Sequence, residues 1–129
     1  MKVALPVWEN RISPVFDFAH VILIAEIEDL GVISKQYQPV DSHLPSFSQA
    51  ANLSGLGVEL LICGGVSRML EDMIKSYGIR VISAVSGNID DVLQAHLKGN
   101  LSSAKYRMPG LGLKGKIESE KGEIVRGKL

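Results

Sequence analysis

The stretch from Val58 to Ile82, VELLICGGVSRMLEDMIKSYGIRVI, constrains this chain more than any other. Val58 to Cys63 is a short apolar run broken only by Glu59 and closed by Gly64-Gly65, the form of a strand covered on both faces. Ser67 then offers an N-cap, and Met69, Leu70, Met73, Ile74 and Tyr77 recur at helical spacing, which makes both methionines candidate core residues. Gly78 closes that helix, and Ile79 to Val85 alternates as the next strand. A strand–helix–strand unit with a right-handed crossover follows. Its first turn holds the only cysteine, two glycines, a serine and an arginine.

Around this unit the other elements fall into place. Lys2 to Val7 reads as a first strand, with Pro6 expected at its end, where pairing is lost. Trp8 to Phe18 is a polar–aromatic loop, too long for a tight hairpin. Val21 to Glu28 and Val32 to Val40 form a hairpin through Asp29-Leu30-Gly31, the second of them near an edge. A helix is expected over Phe47 to Leu56 with Gly57 closing it, and another after Asn88, with Ile89, Val92, Leu93, His96 and Leu97 on one stripe. The order predicts an α/β fold with a mixed five-stranded sheet, strand order 3-2-1-4-5, strand 2 antiparallel, and helices on its faces. Connections leave strands 1 and 4 in opposite directions, so a switch point lies between them, where ligands bind in such sheets. Trp8 to Asp17 and Cys63 to Arg68 meet there, with Ser83 to Asn88 next door. Residues 1–110 form the expected domain, and 111–129 a polar tail expected to be mobile.

Composition excludes several classes. A net charge of +0 argues against nucleic acid, since binding phosphates needs a basic face. One cysteine allows no intrachain disulfide, and no apolar run reaches the length of a membrane span or a signal peptide core. A cytoplasmic protein, monomer or homodimer, is expected, with no membrane partner.

The candidate groups divide by chemistry. Cys63 is either a soft metal ligand or a small core hydrophobe. Gly64, Gly65 and Ser67, opening a helix, are either an anion-binding set of amides or an ordinary capped turn; the sequence is neither a Walker loop nor GxGxxG. Arg68 and Arg11 would suit an anion, or be solvated charges or a salt-bridge partner of Asp17. Trp8, Ser13 and Asp17 complete the loop set, and His43 is a further loop ligand. His96 is expected to be a core or boundary residue. No metal-site histidine spacing, carboxylate cluster or Ser-His-Asp order stands out, so no enzyme chemistry is expected.

The loops also carry a resemblance. ALPVW at Ala4 to Trp8 with RISPVFD at Arg11 to Asp17, LICGGVSR at Leu61 to Arg68, and MPG at Met108 to Gly110 are similar to the marks of the dinitrogenase iron–molybdenum cofactor biosynthesis family. Leu111 stands where family members often carry a cysteine. The resemblance implies a ribonuclease H-like motif in a three-layer α/β/α sandwich. It also implies a nitrogenase accessory role: binding or carrying an iron–sulfur or molybdenum-containing metal–sulfur cluster, with cofactor-assembly proteins as partners. The fold does not imply nuclease activity. The expectation is a non-enzymatic carrier of an anionic metal–sulfur cofactor or its precursor. The alternative is a small-molecule or phosphate-binding regulatory module of the same fold without metal.

Overall fold

Alternation along Lys2–Trp8 makes a strand covered on both faces, and this strand, β1, becomes the middle of the sheet. The computed structural model of the chain describes residues 1–29, 31–41, 43–101 and 104–108. The expected tail, 111–129, and the Pro109-Gly110 end of the third motif lie outside the described residues. After β1 come β2 (Arg11–Ile12), β3 (Val21–Glu28), β4 (Gly31–Pro39), α1 (Ser46–Gly55), β5 (Leu60–Ile62), α2 (Arg68–Ser76), β6 (Arg80–Ile82) and α3 (Ile89–Lys98). Short 3-10 turns cover Phe16–Phe18 and Ala104–Tyr106.

The sheet runs β4-β3-β1-β5-β6, the order expected, with β3 antiparallel to both neighbours and the β1–β5 and β5–β6 pairs parallel. Among the described residues it has six strands rather than five. The extra one is β2, which folds back on the end of β1 with Val7 opposite Ile12 and Trp8 opposite Arg11. The turn that allows this is Glu9-Asn10, with Glu9 at φ 59. Asparagine favours such turns but glutamate does not, so the hairpin has no strong local signature. Pro6 also differs from expectation, lying inside β1 opposite Ile22 rather than at its end. A strand residue points its N–H and C=O to the same side, and the Pro6 carbonyl accepts from Ser13 N. Its missing donor therefore faces the gap where the β1–β5 ladder has already stopped at Ala4.

Each face of the sheet feeds its own buried cluster. Ala4, Ile22, Ile24, Leu61 and Cys63 pack with Ala50 and Leu53 of α1 and Leu70 and Ile74 of α2. Val3, Leu5, Leu23, Leu60 and Ile62 pack with Ile89, Val92 and Leu93 of α3. Each fully buried leucine here contributes about 2 kcal/mol of transfer free energy. Met69 is not part of this core: the buried stripe of α2 is Leu70 and Ile74, and Met69, one position off it, stands 59% exposed. Met73 packs partly against the cluster. Asn88 Oδ1 caps α3 by accepting from the Asp90 and Asp91 amides, and Gly99 ends that helix at φ 77. Among the described residues no helix is long and apolar enough to cross a membrane.

Candidate functional site

Strands β1, β4, β5 and β6 all run in one direction, so the loops that follow them emerge at one edge of the sheet. This carboxyl edge is where open α/β sheets bind ligands. The segment Arg11 to Phe18 crosses it and is stitched to three neighbours. Ser13 N donates to Pro6 O (2.8 Å), Ile12 N to Gly87 O (3.0 Å) and Phe16 N to Gly65 O (2.8 Å), while Gly65 N donates back to Pro14 O (2.7 Å). Ser13 is buried, with its hydroxyl on Val15 O (3.2 Å). Gly64 lies so close beneath this segment that a Cβ there would stand 2.6 Å from Ser13 O and 2.8 Å from Pro14 O. Glycine is required by contact, not by dihedral angle. The neighbouring Ala84, at φ 63, is held in the left-handed region by its amide on Gly64 O (2.9 Å) and by Met108 N on its carbonyl (3.1 Å). That conformation costs a non-glycine residue about 1–2 kcal/mol.

The start of α2 already contains an anion. Asp17 accepts from Ser67 N (2.9 Å, Oδ1) and from Ser67 Oγ (2.7 Å, Oδ2), and Ser67 Oγ accepts in turn from Leu70 N (3.3 Å). The Val15–Gly65 bridge sets Asp17 beside this positive helix end. Two amides of the expected set Gly64, Gly65 and Ser67 are therefore spent inside the protein: Gly65 on Pro14, Ser67 on Asp17. Asp17 is also not the ion-pair partner considered for Arg11 or Arg68, since no salt bridge joins them among the described residues. Asp17→Ala removes two hydrogen bonds from the cap and is expected to cost about 2 kcal/mol. Urea denaturation checks this, and a loss under about half a kcal/mol would show that the carboxylate does not hold the turn.

Cys63 is fully buried within the cluster under α2. Burial pushes its thiol far above the ordinary value of 9.0, and the negative charges of Glu71 and Asp17 push it further. This is the setting of a protonated core thiol, whereas a metal ligand must be a thiolate. His43 is exposed in the loop after β4, with its amide on Asp41 Oδ1 (2.9 Å). Topology puts that loop on the carboxyl edge, with β3 and β1 between it and β5. Among the described residues no three His, Cys, Asp or Glu side chains group to hold a metal ion. His96 is half-buried on α3, and burial, then the charge of Arg80, lowers its pKa.

What the edge does present is Trp8, Arg11 and Arg68, all exposed. Trp8 and Arg11 are opposite each other across the β1–β2 hairpin, and alternation from Ala4 puts both on the face of α1 and α2, where Arg68 begins α2. Beside the hairpin tip, towards α3, lies an open cleft of about 220 Å³ lined by Val7, Glu9, Asn10, Tyr37, Asn88 and Asp90. Its acids oppose an anionic ligand. Asn10, Gly87 and Asn88 join this edge through Ile89 N on Asn10 O (2.9 Å) and the Arg11–Asn88 bridge. Asn10 belongs to the Trp8 to Asp17 loop expected at the switch point, and Gly87 and Asn88 to the stretch expected next door, with Asn88 also read as the cap of α3.

A mixed sheet whose carboxyl edge carries an interlocked glycine turn and two exposed guanidiniums defines a small mixed α/β domain. The sequence profile described as dinitrogenase iron-molybdenum cofactor matches residues 1–99. The chain belongs to that family. An uncharacterised protein of Methanocaldococcus jannaschii, MJ0580, is 29% identical over 105 residues, which are 78% of this chain and 89% of that one. The crystal structure of PH0822 is similar with a TM-score of 0.72 at 24% identity, covering 77% of this chain and 90% of that chain. A crystal structure of a Methanocaldococcus jannaschii protein provisionally described as a dinitrogenase gives 0.66 at 23% identity, over 78% and 90% of the two chains. These likenesses establish the shared fold.

Proposed function

We propose that the protein is a non-enzymatic carrier of an anionic metal–sulfur cofactor or its precursor, of the kind used in iron–molybdenum cofactor assembly. The observation that carries this is the pair Arg11 and Arg68, exposed at the carboxyl edge of a family member and without a carboxylate partner among the described residues. The cargo, an iron–sulfur or molybdenum-containing cluster, is held by these charges and by Trp8. Ser13, Asp17, Gly64, Gly65 and Ser67 build the platform beneath it. Direct ligation by Cys63 does not fit a buried, protonated thiol, and His43 is the exposed side chain that remains for it. Cofactor-assembly proteins are the partners this role requires. The two buried clusters, one per sheet face, support the three-layer, ribonuclease H-like form that the family resemblance implies.

Anaerobic reconstitution with iron, sulfide and molybdate or copper tests the proposal through visible absorption and bound metal. Arg68→Ala and Arg11→Ala are each expected to weaken loading by roughly three- to tenfold, as for the loss of a charge-assisted contact, and added salt should weaken the parent similarly. Cys63→Ala should load like the parent. Colourless, metal-free protein would favour the second reading, a small-molecule or phosphate-binding module without metal. The buried thiol and the lack of a three-ligand group among the described residues are the observations on its side.

A further inference from the structure

The carboxyl edge exposes more apolar surface than a small anion can use. Phe18 is 72% exposed, Met69 59%, Trp8 55% and Val15 38%. Backbone pairings bring the segments that carry them to this one edge. Val15 is bridged to Gly65 and Asp17 is bonded to Ser67, so Phe18 directly follows a residue tied to the N-cap of α2, the helix that Arg68 and Met69 begin. Trp8 and Arg11 flank this group across the hairpin. Aromatic residues, methionine and arginine are the side chains enriched at the centres of protein interfaces.

We infer that Trp8, Val15, Phe18 and Met69, with Arg11 and Arg68, form a docking surface for an acidic, apolar segment of a partner protein. Charge chooses the occupant. The two guanidiniums have no carboxylate partner among the described residues, so a covering surface must supply carboxylates beside its apolar groups. A second copy docked on the same patch by a two-fold axis would bring four guanidiniums into one interface, which is unfavourable. The surface overlaps the proposed cargo site at Trp8 and the two arginines, but Val15, Phe18 and Met69 have no role there, and the docking does not rest on the cargo.

The test uses the full chain and two fluorescent peptides with the same Leu and Phe positions, one filled in with Glu and the other with Lys. Fluorescence anisotropy should show saturable binding of the Glu peptide and none of the Lys peptide. Phe18→Ser combined with Met69→Ser, and separately Arg68→Glu, should each weaken it by about tenfold or more. Tyr77→Ser, at the far end of α2, should change nothing. The double variant should still load metal as the parent does, which separates this surface from the cargo site. Absence of Glu-peptide binding, equal binding of both peptides, or insensitivity to these variants overturns the inference. So does a dimer in sedimentation velocity that the double variant dissolves, or binding to anionic lipid vesicles that it abolishes, since these identify a second copy or a membrane as the occupant.

Discussion

Gly64→Ala is expected to destabilise the protein by about 3 kcal/mol, the upper range for forcing extra atoms into a packed site. The added methyl carbon would lie 2.6 Å from Ser13 O and 2.8 Å from Pro14 O, distances that real Cβ atoms do not adopt. Both obstacles are backbone, so no side chain can rotate away. Moving Ser13-Pro14 would stretch Gly65 N to Pro14 O (2.7 Å) and Phe16 N to Gly65 O (2.8 Å). It would also shift Asp17 from Ser67 and so loosen the cap of α2. Chemical denaturation measures the loss, and amide exchange at Phe16 and Gly65 should rise together with it. A control is Gly78→Ala, where φ is 82 but nothing lies within 4 Å of the added carbon. It carries only the backbone strain of about 1–2 kcal/mol. Equal losses at the two positions would mean that the loop and the turn are not in contact.

That contact also marks how far the sequence could be read. Strand order was legible because the apolar run Leu60–Ile62, its bounding glycines and the alternation in β1 and β3 are local signals that survive packing. Two caps, Ser67 and Asn88, were legible for the same reason. Strand β2 was not, because its turn rests on Glu9 in a conformation glutamate rarely takes, stabilised by bonds to Gly87 and Pro6 far along or across the sheet. Asp17 and Ser67 are 50 residues apart, and only the strand register brings them together. The segments carrying Trp8 to Asp17 and Gly64 to Arg68 thus meet at one edge, while His43 follows β4, with β3 and β1 between it and β5. Sequence could not show that Asp17 had taken the anion's place at the helix start. Nor could it decide whether Cys63, at the end of an alternating strand, faces the core or the loop. Alternation from Leu61 puts it on the α2 face, and α2 covers it.

The burial of Cys63 has a pH signature. Its folded pKa is raised above the ordinary 9.0, first by desolvation and then by Glu71 and Asp17. Above that ordinary value the unfolded chain gives up the thiol proton while the folded chain keeps it. The folded state then binds more protons, so stability falls as pH rises. Well below pH 9.0 the thiol is protonated in both states, and its contribution is constant. Above it, the parent should lose about 1.4 kcal/mol per pH unit from this group alone. Lysines and tyrosines titrate in the same range, so the quantity to measure is the difference from Cys63→Ala. At neutral pH that variant should be less stable by about 1–2 kcal/mol, for the lost contact and the small cavity. The gap should close between about pH 9 and pH 10.5 and then reverse, leaving the alanine variant the more stable protein. Parallel stability curves at every pH would place the thiol in water in the folded state. A thiol in water can ionise and bind metal, so that result would return Cys63 to the ligand set and weaken the case for holding the cargo by charge alone.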